Sequence, residues 1–97
     1  PAGVVAFERY RDAVALAARR DWDAALAVFR GLAEEMPPST DLWLQVARTA
    51  ARGERHEAAT EAYLRVLELA PADVAAHLGA AASFLRTRKF ESAETHA

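Results

Sequence analysis

Apolar positions recur along this chain at three- and four-residue intervals with polar residues between them, and the pattern stops and restarts at prolines. The segment AYLRVLELAPADVAAHLGAA, residues 62–81, reads as helix on both sides of Pro71. A proline inside a helix removes a backbone hydrogen bond and clashes with the preceding turn, a cost of about 3 kcal/mol. The pattern therefore predicts a stop at Ala70 and a new helix capped by Asp73. The stretch VFRGLAEEMPPSTDLWL repeats the event, running helical to Met36, meeting Pro37 and Pro38, and restarting after Ser39, Thr40 and Asp41. The recurrence of the same break at Pro37 and Pro71 points to an internal repeat.

Stepping along the chain by the interval from Pro37 to Pro71 aligns Ala13, Ala47 and Ala81; Leu16, Ala50 and Phe84; Trp22, His56 and Phe90; and Ala25, Ala59 and Ala93. It also pairs Phe29 with Tyr63 and Leu32 with Val66. Stacked helix pairs require this combination, because a small side chain lets two backbones approach while a large one fills the groove beside it. Six helices are predicted: about 4–19, 22–36, 40–52, 55–70, 73–87, and from 90 to the end. Turns at Arg20-Asp21, Gly53-Glu54 and Arg88-Lys89 are short enough to impose antiparallel neighbours. Asp21 is expected to cap the second helix and Gly53 to supply a left-handed residue at a helix C-terminus. Trp22, Phe29, Tyr63, Phe84 and Phe90 fall where large core side chains are expected.

These residues carry a family resemblance: the chain resembles tetratricopeptide repeat (TPR) proteins, whose period is the same. The second unit matches at Trp43, Val46, Ala47, Gly53, Ala59, Tyr63 and Pro71; the first at Ala13, Leu16, Trp22, Ala25, Phe29, Leu32 and Pro37; the third at Leu78, Ala81, Phe84, Phe90 and Ala93. The resemblance spans essentially all 97 residues as units of about 6–39, 40–73 and 74–97, the third cut short. It implies an all-α fold, a right-handed superhelical solenoid of antiparallel helix hairpins in a single domain. Several positions depart from the family pattern. Arg9 and His77 stand where the second unit has Trp43, Asp12 where it has Val46, and His56 replaces a bulky apolar residue; Gly53 falls one residue before the usual turn glycine. The shortened third unit leads to two expectations: that the chain is a fragment of a longer array, and that Leu78, Phe84, Leu85 and Phe90 are exposed.

Composition narrows the partners. Alanine fills about a quarter of the chain, isoleucine is absent, and no alternating run suggests a strand. A formal charge of -2 and a pI near 5.9 argue against nucleic acid or an anionic membrane as the partner of the whole surface. No apolar run approaches the roughly 20 residues that cross a bilayer, so no membrane insertion is expected. The absence of cysteine excludes disulfides and thiolate chemistry and leaves the compartment open, with the cytoplasm the preferred reading.

No reactive constellation emerges. His56, His77 and His96 occur in no metal-ligand spacing, and they read respectively as a partly buried turn residue, an inter-repeat contact and a solvated residue near the chain end. Glu57 and Glu61 are one helical turn apart, which suits a solvated face better than a metal site. The four glycines are isolated and form no phosphate loop. The chain reads as no enzyme, with no cofactor and no metal.

In the family it resembles, the first helix of each pair lines a concave groove that receives a peptide or a partner's helix. Carried over, that groove holds Phe7, Tyr10, Val14 and Ala17; Asp41, Leu44, Arg48 and Arg52; and Ala75, Leu78, Ala82, Leu85 and Arg86. The expected contact residues are Phe7, Tyr10, Val14, Leu44, Arg48, Arg52, Leu78, Leu85 and Arg86, with the arginines able to fork onto a carboxylate. Family members that clamp acidic chaperone tails use lysine, asparagine and arginine where this chain has Tyr10, Val14, Gln45, Ala75 and Gly79, so that arrangement is not expected. The leading expectation is a noncatalytic module for a protein or peptide ligand. The alternatives are an accessory or dimerisation domain of an enzyme lying outside the chain, self-association through the truncated third unit, and, with the smallest share, single-stranded RNA binding.

Overall fold

The computed structural model describes the backbone of residues 2–96 and the side chains of residues 3–89. Five helices follow one another: α1 (Ala2–Ala18), α2 (Trp22–Glu35), α3 (Thr40–Arg52), α4 (His56–Leu69) and α5 (Val74–His96). No strand occurs among the described residues, and the chain is all-α as the apolar spacing predicts. Each helix packs chiefly on its neighbours in sequence, giving a flat stack of 52 × 32 × 17 Å.

The helix ends follow from local chemistry. Ser39 Oγ accepts the backbone N–H of Leu42 at 3.4 Å, and Asp73 Oδ1 accepts that of Ala76 at 2.9 Å, so both restarts after the prolines are side-chain capped. Asp21 occupies the cap position of α2, but its side chain makes no cap bond. The Asp21 side chain is therefore not the cap expected from its residue type. The turn there is held instead from the end of α1. Arg20 sits at φ 63°, its N–H donates to the Ala17 carbonyl at 3.0 Å, and the Asp21 N–H reaches back to Leu16 at 2.9 Å. The next hairpin repeats this Schellman-type closure at the equivalent positions, with Glu54 at φ 62°, its N–H on Ala51 at 3.1 Å, and the Arg55 N–H on Ala50 at 2.8 Å.

Gly53 is thus not the left-handed residue; its φ is -89°. Its lack of a side chain serves a close approach, because a Cβ there would lie 2.5 Å from the Trp22 ring. Gly79 does the same on α5, where a Cβ would meet the Tyr63 ring at 2.4 Å.

The third hairpin does not form. Arg88 is in register with Arg20 and Glu54, yet α5 runs unbroken through Arg88 and Lys89 to His96, correcting the expected turn and sixth helix. Extending an existing helix adds a hydrogen bond per residue without a new nucleus, whereas a bend at Arg88 would need a left-handed arginine.

The core lies between the hairpins. Phe29, Leu32, Val46 and Val66 are its largest fully buried side chains, among buried Ala13, Ala25, Ala47, Ala50, Ala59 and Ala62. Tyr63 is buried, Trp22 half-buried, and Tyr10 meets Phe29 edge-on at 5.5 Å. Two residues expected in the core by register, Ala81 and Phe84, are exposed instead; Phe90 and Ala93 lie outside the described side chains.

One angular comparison explains the exposure. At about 100° per residue, the sector of α1 facing α2 carries Ala6, Arg9, Tyr10, Ala13, Leu16 and Ala17, all buried or half-buried. The same sector of α3, facing α4, carries Thr40, Trp43, Leu44, Ala47, Ala50 and Ala51, likewise all covered. On α5 it carries Val74, His77, Leu78, Ala81, Phe84 and Leu85, and every one is exposed. Among the described side chains of α5, only the α4-facing side, with Ala76 and Ser83 buried, is packed. Leu78 and Leu85 are bare, as expected, and so is Phe84, which follows its expected exposure and not its register place in the core.

Candidate functional site

Along the first helix of each unit, one narrow sector faces solvent in all three. On α1 it holds Phe7, Val14 and Ala18; on α3, at the same register, Asp41, Arg48 and Arg52; on α5, Ala75, Ala82 and Arg86. On α3 these three are the only exposed residues of a helix that is otherwise covered on all sides. The strip is apolar on α1 and turns basic on α3 and α5.

The expected contact residues divide between this strip and the hairpin-facing sector beside it. Phe7, Val14, Arg48, Arg52 and Arg86 stand on the strip. Tyr10 and Leu44 do not line an open groove: both are half-buried and pack against the core, Tyr10 through its edge contact with Phe29. Ala17 is buried as well. Leu78 and Leu85 are exposed at 67% and 65%, but they belong to the sector that a second helix covers in the other units. The register itself carries the distinction, since Tyr10, Leu44 and Leu78 form one series and Val14, Arg48 and Ala82 another, about 40° away. Reading all of them as one face merged two.

The arginines differ in whether they are already engaged. Arg55 forks onto Asp23, Nε to Oδ1 at 3.0 Å and Nη2 to Oδ2 at 3.2 Å, and also donates to the Gly53 carbonyl. This hydrogen-bonded fork, reinforced by the guanidinium charge, holds the Asp23 carboxyl below its ordinary range, and the Arg55 guanidinium is raised mainly by the same bond. Arg9 pairs with Glu35, Arg30 with Glu61 at 3.5 Å and Arg65 with Glu68 at 3.5 Å. Arg48, Arg52 and Arg86 pair with no carboxylate among the described residues. Arg52 lies over the Trp22 ring, 5.2 Å from its centroid, a stacking that fixes its position while leaving its N–H edge available.

Two clefts flank Arg52. One, about 540 Å³, is lined by Arg20, Trp22, Arg52, Gly53, Glu54 and Arg55. The other, about 340 Å³, lies between the α3–α4 turn and the middle of α5, and it brings Arg52 and Arg86 together with His56, Tyr63, Gly79 and Ala82. Sequence reasoning missed the contribution of Trp22, which it placed in the core; the ring is half-buried, packed on Gly53 beneath Arg52. The signal was present in Gly53, whose position beside a turn conceals its role as a seat for an aromatic ring.

The histidines serve local roles. His56 is half-buried as expected, and its carbonyl accepts the Thr60 hydroxyl at 2.9 Å. His77 is not an inter-repeat contact: it is exposed, with Nε2 2.7 Å from the Pro71 carbonyl. His96 lies outside the described side chains. Among the described residues no group of three potential metal ligands converges, and no helix is long and apolar enough to cross a membrane.

No protein-family model matches the chain, and no match is found among curated proteins or solved structures.

Proposed function

We propose that the chain is a noncatalytic protein-interaction module, a TPR-like superhelical solenoid that binds an extended peptide or a partner segment along the exposed strip of its first helices. The observation that carries this reading is the strip itself. Three successive first helices leave the same sector open, at Phe7 and Val14, then Arg48 and Arg52, then Ala82 and Arg86, while the rest of α3 is covered. A surface that is apolar at one end and at the other bears arginines unpaired among the described residues, with Arg52 held over Trp22, suits a ligand with an apolar anchor and a carboxylate-rich flank. Stacking on Trp22 supports this, because an arginine already held in place loses less freedom on binding.

The test is selection of peptides from a random library on the immobilised chain, followed by fluorescence-polarisation titration. The reading predicts ligands enriched in acidic residues beside an apolar anchor, with affinity reduced at least about tenfold by Arg48→Glu combined with Arg86→Glu. Both positions are exposed, so circular dichroism should show an unchanged fold. Leu44 is unsuitable for such a test, because its half-buried side chain packs on the core. Ligands whose affinity ignores both charge reversals, or a library that yields none, would contradict the proposal.

A further inference from the structure

The bare sector of α5 has a composition suited to a specific occupant. Between Asp73 and Arg86 the sequence contains no charged residue, so the exposed Val74, Leu78, Ala81 and Leu85 form a neutral seam about 17 Å long at 1.5 Å per residue. Its ends are opposite in sign: Asp73 at the N-terminal end, Arg86, Arg88 and Lys89 at the other. The spacing of Val74, Leu78, Ala81 and Leu85 alternates four and three, that of a helix seam meeting another helix. Among the described residues no second helix folds back over the seam, because α5 runs straight through Arg88.

From this charge layout and the self-matching apolar seam, we propose that the α5 sector docks the same sector of a second copy of this chain, antiparallel, about a twofold axis beside Ala80, between Leu78 and Ala81. An isologous contact places a surface against itself, which requires a centre free of charge and ends that complement each other on reversal. The α5 seam meets both conditions. In the antiparallel arrangement Asp73 of each copy lies beside the Arg86–Lys89 cluster of the other, whereas a parallel one would crowd the two basic clusters together. Ala81, small and near the axis, lets the two helices approach closely opposite Leu78 of the other copy, while Val74 of one copy packs near Leu85 of the other. The contact involves neither Arg48 nor Arg52 and shares only Arg86 with the ligand strip, so the seam variants below leave every arginine of the proposed ligand site in place.

Sedimentation velocity over about 1 to 500 μM tests it, a range that brackets an interface below standard size. The expected result is a reversible monomer–dimer equilibrium whose dissociation constant rises at least about tenfold in Leu85→Glu. Helicity should be unchanged, because Leu85 is 65% exposed; Leu78→Ser addresses the same seam should Leu85→Glu alter the fold. Orientation is read by mild oxidation in this cysteine-free chain: Ala81→Cys, next to the axis, should form an interchain disulfide, and Val74→Cys should not. A monomer across the whole range, a dimer untouched by both seam variants, or Val74→Cys cross-linking as readily as Ala81→Cys would overturn the proposal.

Discussion

The first two hairpins and the third unit share one register and reach opposite outcomes. Ala13 and Ala47 are fully buried under α2 and α4, while Ala81, the next in their series, is exposed. Arg20 and Arg88 are the same residue at the same register position, yet one is left-handed at φ 63° and closes a hairpin, and the other sits inside α5. Residue identity at the turn therefore does not decide whether the hairpin forms. A left-handed non-glycine residue costs about 1 to 2 kcal/mol, a cost that the packing of α2 on α1 and of α4 on α3 offsets in the first two hairpins.

The largest test of this contrast uses its aromatic residues. Phe29→Ala should destabilise the chain by about 3 to 5 kcal/mol, since the ring is 1% exposed within the core. Phe84→Ala, at a register position that the repeat also assigns to the core, should change stability by no more than about 0.5 kcal/mol when the chain is monomeric. Urea denaturation measures both, and equal losses would mean that the third unit is packed like the others.

Within α5 the contrast runs between two sides of one helix. Gly79→Ala places a Cβ into the Tyr63 ring and should cost about 1 to 3 kcal/mol through displacement of that ring. Ala82→Ser, on the exposed strip, should stay within about 0.5 kcal/mol, measured by the same denaturation. A silent Gly79→Ala would show that α5 is not seated on α4.

A smaller test compares equivalent turn positions. Glu54→Gly should stabilise by up to about 1 kcal/mol by relieving a left-handed glutamate. Arg88→Gly should destabilise by about 1 kcal/mol, because there glycine interrupts a helix. Effects of opposite sign in thermal melts sharpen the comparison; the same sign at both sites would break it.

The smallest effect concerns the ion pair that bridges the first two units. Asp23 has its pKa depressed by Arg55, so its contribution is present above the ordinary carboxylate range near pH 4 and is lost as pH falls through the lower folded-state value. Asp23→Asn should flatten the acid limb of stability against pH slightly and leave neutral stability nearly unchanged, because the pair is solvent-exposed.

Much of the fold was legible because it depends on local chemistry. Pro37 and Pro71 mark the unit ends, Asp73 caps α5, and the alanine series marks close helix contacts. The failures lie where a local signal was decided by distant packing. Gly53 reads as a turn residue, but its seat beneath Trp22 is a contact between two different units. The α5 turn failed because Arg88 and Lys89 carry no breaker, and only a packed second helix would hold a bend there. The exposure of Phe7, Val14, Arg48, Arg52 and Arg86 along one strip was legible in the helical spacing, whereas the half-burial of Tyr10 and Leu44 depends on the packing of the neighbouring sector against the core.

The most direct test of the central claim is thiol labelling of Ala13→Cys, Ala47→Cys and Ala81→Cys, each in a Leu85→Glu background that keeps α5 free of a second copy. The wild-type chain has no cysteine, so each rate reports one register position. Labelling of the first two should be slowed at least about a hundredfold relative to the unfolded chain, because it requires opening of the packed hairpins. The Ala81→Cys thiol should react at nearly the unfolded rate. Equal protection at all three positions would contradict the account, because the third unit would then be closed like the first two.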